Sequence, residues 1–266
     1  MSRQKGLIRL EGNLDGIAFY KSGGDYLARM ANGPSKSKIQ NDPAYVRTRE
    51  NNQEFGGAAT VGKAFRTAFA EMVRTMGDRY FSARLTQLFK KVCVGGTGAR
   101  GQREISASLQ PEVLLHVEFN KQRPFGSICN APFMVSANAD RNEVIVDTPN
   151  ISSNVYVAAP STATHFRITA AIGTLSDYSF DLSLHAYVPT SPDFNALGAS
   201  VSSVSMALHG GLAPQPVNLV ANFAGAPVIP VDVAVIVALG IDFYQRVNGV
   251  DYLLAQGNAM KVVTVL

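Results

Sequence analysis

The chain has 266 residues, 46% apolar and only 17% charged, a balance that excludes intrinsic disorder and suffices for one large core or two smaller ones. Its formal net charge of +4 hides a division: residues 1–104 carry eighteen Lys and Arg against nine Asp and Glu, whereas residues 105–266 carry six against eleven. A basic head on an acidic body predicts an acidic partner for the head, either nucleic acid or the body of another copy.

In chain order, residues 7–10, 17–21 and 26–30 are short runs separated by turn formers, including Gly16 and the Gly23-Gly24 pair. This reads as a small β-meander. Residues 31–41 are polar and basic, with Ile39 the one apolar anchor, and read as an extended arm. Asp42 before Pro43 is an N-cap followed by proline at the first helical position, so a polar helix is expected to about Phe55, broken by Gly56-Gly57. A second helix is expected over 58–76, where Val61, Phe65, Phe69, Met72 and Met76 share one face. Gly77-Asp78 ends it and caps a third, which carries Phe81, Leu85, Leu88, Phe89 and Val92 at the same spacing. The glycine-rich run 95–101 reads as a linker or, alternatively, as a nest of N–H groups for a phosphate.

Beyond residue 104 the character changes to β-branched and aromatic runs punctuated by Pro, Gly, Asn and Ser: 113–119, 133–137, 143–148, 166–172, 178–188, 201–208, 217–223, 231–239 and 260–266. Residues 196–211, rich in Ala, Ser and Gly, read equally as strand or loop. The expected class is α+β: a hairpin and arm (1–41), a helical region with a glycine-rich linker (42–104) and an all-β sandwich of jelly-roll or immunoglobulin-like type (105–266). The run 228–241 is interrupted by Pro230 and Asp232 and is shorter than the roughly 20 residues of a membrane helix, so no membrane insertion is expected. With no signal-peptide pattern at residues 1–10, the expected location is cytoplasmic, or in a particle released without a signal peptide. Cys93 and Cys129 read as free thiols in a reducing compartment.

No motif carries a chemistry. Residues 57–64 match GxxxxGK[ST] except that Ala64 replaces the hydroxyl that would ligate magnesium, and no apolar strand precedes them. His116 and His185, expected inside strands, and His165 and His209 show no metal-ligand spacing. Asp177 and Asp181 share one side of a strand, by default a solvated one. No catalytic, cofactor or metal residue is expected, and the absence of Trp counts against sugar stacking.

Gly12, Gly16, Ile17, Phe19, Tyr20 and Lys21 form a GxxxGIxFYK ribbon, and Asp42, Pro43, Arg47, Thr48, Arg49, Glu50, Asn51, Asn52, Glu54 and Phe55 a DPxxxRTRENNxEF segment. On these residues, 12–69 resemble the N-terminal region of a family of uncharacterised bacterial proteins. The resemblance implies no activity. Physically, strand edges, an arm and directional hydrogen-bonding groups suit an assembly interface, for which Ile17, Phe19, Tyr20, Tyr26, Ile39, Arg47, Arg49, Glu50 and Asn51 are the candidates. The expected function is a non-enzymatic structural protein that self-assembles into a filament, tube or shell through its N-terminal hairpin, arm and helices docking on neighbouring β bodies, phage-derived by analogy with arm-plus-sandwich particle proteins. The alternative is nucleic-acid binding or packaging through Lys36, Lys38, Arg66, Arg74, Lys90 and Lys91, weakened by the acids interleaved among them.

Overall fold

The structure, a computed structural model, describes residues 2–31, 33–209 and 215–266. It has a helical part and a sandwich-like β body, hence the α+β class, and divides into two units, Met1–Arg49 and Glu50–Leu266.

The first unit is an antiparallel sheet of β1 (Ser2–Arg3), β2 (Gly12–Leu14), β3 (Ile17–Ser22) and β4 (Asp25–Met30), in the order β1-β4-β3-β2. Its two hairpins turn on Asp15-Gly16 and Gly23-Gly24, all four at positive φ. That geometry matches the twist of the flanking strands and is why Asp-Gly and Gly-Gly occupy the turns. The expected arm is extended only in part. Ser35 accepts a hydrogen bond from the Lys38 N–H and caps α1 (Lys36–Asn41), a stretch with no Gly or Pro to oppose a helical turn. Asp42 accepts from the Ala44 N–H and starts a 3-10 turn at Pro43–Tyr45, which leads into α2 (Val46–Ala68).

Helix α2 begins in the first unit and continues into the second. Gly56-Gly57, expected to break it, lies within it. A glycine costs a helix about 1 kcal/mol against alanine, which buried packing on both sides of the pair outweighs: Glu54, Ala58, Val61 and Phe65 are all buried. The break falls instead at Phe69, between α2 and α3 (Ala70–Met76). Helix α4 (Phe81–Gly95) starts after Asp78, whose carboxylate accepts from the Tyr80 N–H at 2.8 Å. Phe65 lies at the centre of a ring cluster: its centroid is 4.9 Å from Phe69, 6.0 Å from Phe81, 6.5 Å from Phe89 and 6.1 Å from Phe119.

Two single-turn helices, α5 (Pro111–Leu114) and α6 (Phe125–Ile128), precede the strands. Residues 113–119, expected as a strand, are therefore part helix and part edge. His116 adopts φ 65° and ends the α5 segment, after which Val117 and Phe119 pair by backbone hydrogen bonds with Val262 and Met260. The body then contains β5 (Met134–Ala137), β6 (Glu143–Ile151), α7 (Ser153–Tyr156), β7 (His165–Ser176), β8 (Tyr178–Asp181), β9 (Ala186–Pro189), β10 (Gly198–Ser202), β11 (Met206–Ala207), β12 (Gln215–Asn222), β13 (Val233–Val247), β14 (Val250–Leu253) and β15 (Ala259–Val265). The stretch 178–188 is the hairpin β8-β9, with His185 at φ 49° in its turn. Both histidines expected in strands thus occupy turns. Of the undecided stretch 196–211, β10 and β11 are strand, and 210–211 lie outside the described residues.

Strands β7 and β13 pair along twelve residues and form the spine of the larger sheet, flanked by β10 and β11 on one side and by β14 and β15 on the other. The smaller sheet is β12-β6-β5. Side chains of β13 alternate between two cores. Val233, Val235, Val237, Leu239, Ile241 and Phe243 face the smaller sheet. Ala234, Ile236 and Ala238 face the helices. The second unit therefore has three layers, helices, large sheet and small sheet, and burial of both faces makes β13 read as a continuous apolar run.

Candidate functional site

The head sheet has an apolar face with nothing buried beneath it. Residues opposite one another across an antiparallel ladder share a face, so the pairs Leu14↔Ile17, Ile17↔Met30 and Phe19↔Ala28 form one apolar patch, continued by Lys21↔Tyr26. Leu14 and Met30 are each 63% exposed, and no described residue of 2–49 is buried. Basic groups gather at one end: the Arg9 guanidinium lies 4.9 Å and the Lys21 ammonium 5.3 Å from the centre of the Tyr26 ring. Tyr20 points to the opposite face, under Arg29 at 5.5 Å. Of the interface candidates, the sheet thus brings together Ile17, Phe19 and Tyr26.

The other candidates are placed differently. Arg49 donates through Nη1 to the Ile39 carbonyl at 2.7 Å and the Asp42 carbonyl at 3.0 Å, so it ties α1 to the start of α2. Ile39 is half-buried, while Arg47 and Asn51 are exposed. Glu50 pairs with Arg100 at 3.5 Å.

Glu54, which the sequence offered as one of the acids interleaved in the basic head and as part of the DPxxxRTRENNxEF segment, is the centre of a buried ion cluster. Its side chain is 1% exposed and accepts from Arg103 through two 2.8 Å bonds, from the Gly101 N–H at 2.8 Å, and from Lys90. Burial pushes this carboxyl up, but the hydrogen bonds from Arg103, Lys90 and Gly101 outweigh it and hold the carboxyl down to about 2. Beside the cluster, Tyr187 O–H and Cys93 Sγ lie 3.9 Å apart. A legible signal existed: Glu54 precedes Gly57, Ala58, Val61 and Phe65 at helical spacing, a charge on the buried stripe of α2.

This cluster also settles the glycine run. Gly98 and Gly101 have φ of 108° and 93°, and the loop is closed by hydrogen bonds from Glu104 N–H to Thr97 O and from Gln102 N–H to Ala99 O. It does present an N–H to an anion, but the anion is the chain's own Glu54. Among the nucleic-acid candidates, Lys90 is therefore spent on Glu54 and Arg66 donates to the Gly62 carbonyl at 3.2 Å. Lys36, Lys38, Arg74 and Lys91 are exposed.

The remaining chemistry-bearing groups hold the fold. Residues 57–64, the near match to a phosphate loop, lie within α2. A groove of about 560 Å³ is lined by Asp78, Arg79, Tyr80, Arg84, Lys121 and Gln122, yet Arg84 donates through Nη1 to Asp78 and through Nη2 to the Glu118 and Phe119 carbonyls. Asp177 accepts from the Ser108 hydroxyl at 2.6 Å, and Asp181 from Ser183. Among the described residues, no three His, Cys, Asp or Glu side chains converge as a metal site, and no helix is long and apolar enough to cross a membrane. No protein-family model, curated protein or solved structure matches the chain.

Proposed function

We propose that this chain is a non-enzymatic structural protein that assembles with copies of itself, its N-terminal sheet and arm docking on neighbouring β bodies to build a filament, tube or shell. The supporting observation is the head sheet: four strands, an open apolar face and no described residue of 2–49 buried. The inner hairpin β3-β4 is flanked by strands of only two and three residues, little more than the two-stranded hairpin that is marginal in water alone, and its apolar face leaves Leu14 and Met30 exposed and Ile17 and Phe19 half-exposed, the mark of an interaction surface. The charge division fits a copy as partner, since 168–245 contain no Lys or Arg at all while the head is basic. Light scattering or sedimentation of the full chain against a chain lacking residues 1–41 tests this. Large particles from the full chain and monomers from the truncated one are expected; equal assembly of both sinks the role given to the head.

Nucleic-acid packaging is the competing reading, favoured by the exposed Lys36, Lys38, Arg74 and Lys91. It requires a binding isotherm that weakens steeply between two salt concentrations, as release of counterions from phosphates demands.

A further inference from the structure

The self-assembly reading leaves open where on the body a head would land, and the small sheet supplies a matching surface. Val144, Val146, Val217, Leu219 and Ala221 point into the core, so the intervening residues of β6 and β12 form an outer face. Register sets Met134 opposite Asp147, and Ile145 opposite Val220. Met134 and Val220 are 64% and 39% exposed. The result is a small apolar centre, Ile145 and Val220 with Met134 diagonal to them, set among Ser136, Asn218 and Asn222 and flanked by Asp147 and Glu143.

This face is acidic without compensation. Strands β5, β6 and β12 contain no Lys or Arg. The one basic residue of 124–166, Arg141, turns its guanidinium to the Pro230 and Val233 carbonyls, both at 2.8 Å. Asp147 accepts from Asn218 at 2.6 Å, and neither it nor Glu143 enters an ion pair among the described residues. The head sheet presents the complement: an apolar patch of Ile17, Phe19 and Met30 with Lys21 and Arg9 at one end.

Resting on the self-assembly reading, we propose that the apolar face of one copy's head sheet stacks on the outer face of β12-β6-β5 in a second copy. Faces about three strands wide and six residues long overlap by about 300 Å² at ordinary strand spacings, well short of the ~800 Å² per partner of a stable complex. One contact is therefore weak. Since each chain can give a head and receive one, the contact is heterologous and propagates, and particles form above a threshold concentration.

The test mixes a Met30→Cys chain with a Val220→Cys chain under mild oxidation, at a concentration where wild type scatters as particles. Cys93 and Cys129 are buried and do not compete. A disulfide-linked dimer is expected, and none when Lys91→Cys, on the helical layer, replaces Val220→Cys. Glu143→Lys with Asp147→Lys in the receiving chain lowers the yield roughly tenfold, and Arg9→Glu with Lys21→Glu in the giving chain restores it. Equal linkage to Lys91→Cys, linkage only within a doubly substituted chain, or no linkage while wild type assembles overturns the docking site and leaves the self-assembly reading standing. Wild type that remains monomeric at every concentration overturns both.

Discussion

Gly56 and Gly57 are neighbours in one helix, and the structure assigns their replacement by alanine opposite signs. A Cβ on Gly56 meets nothing within 4 Å, whereas one on Gly57 would lie 2.4, 2.6 and 2.7 Å from three atoms of the Tyr187 ring. Gly56→Ala therefore gains helix propensity alone, about 0.5–1 kcal/mol, and raises Tm by about 1–4 °C at the ~2–4 °C per kcal/mol expected for a chain of this size. Gly57→Ala gains the same propensity but overlaps the ring by more than 1 Å against the ~3.5–4.0 Å of normal contact. The ring cannot swing away freely, because it packs edge-on against Phe180 with centroids 5.3 Å apart. Overpacking of this kind costs up to about 3 kcal/mol, leaving a net loss of about 2 kcal/mol and a Tm lower by about 4–8 °C. Thermal melts of both variants read the signs directly, and in a Tyr187→Ala background Gly57→Ala should become stabilising. Two variants that shift Tm in the same direction would refute the assignment of Gly57 as the notch for Tyr187.

Two buried carboxylates carry opposite pH signatures. Glu54 is held down to about 2 from an ordinary 4.5, so its contribution of about 3 kcal/mol is present above pH 4.5 and lost as pH falls towards 2. Melts of Glu54→Gln should show a deficit of that size at pH 7, less than half of which remains at pH 3; a pH-independent difference contradicts the cluster. Asp242 is 7% exposed, and burial pushes it up to about 6 despite the 3.2 Å hydrogen bond from Thr169 and the charge of Arg167. Its folded state binds the proton more tightly than its unfolded state, so the cost accrues between pH 3.8 and 6. From pH 4 to 7.5 the stability of Asp242→Asn relative to wild type should rise by up to about 3 kcal/mol, and a flat difference across that range would refute it. Burial pushes the Cys93 and Cys129 thiols up, and a thiol-disulfide reagent at pH 8 should label neither until denaturant is added.

What the sequence disclosed followed from periodicity. Helix α4 was legible because Phe81, Leu85, Phe89 and Val92 form a stripe, and strands such as β6 and β12 because alternate residues are apolar. The continuous runs of β7 and β13 were legible as strands, but not what covers them, since such a run says only that both faces are dry. Small residues carried that information: Gly173 leaves room for Phe69, and Gly240 for Met76 and Met260, a close approach that shows only when the helices are in place. Gly56-Gly57 misled because a glycine that breaks a helix and a glycine that admits a ring look alike in one dimension. Glu54 was visible as a charge on an apolar stripe, yet its partners Lys90 and Arg103 lie on other segments. The polar residues that carry the resemblance divide similarly: Asp42, Arg49, Glu50 and Glu54 hold the chain together, and Arg47 and Asn51 face outward.

The alternation along β13 doubles as a map of permissible change. At odd positions from 233 to 243 the side chains fill the space between two sheets, so shortening them opens voids. At 234, 238 and 240 small Ala and Gly face the core shared with the helices, and a methyl group added at Gly240 would meet Met76 of the helical layer at 2.9 Å. A variant library over this strand should therefore separate by residue-number parity: odd positions tolerate enlargement better than truncation, and the small even positions tolerate no growth.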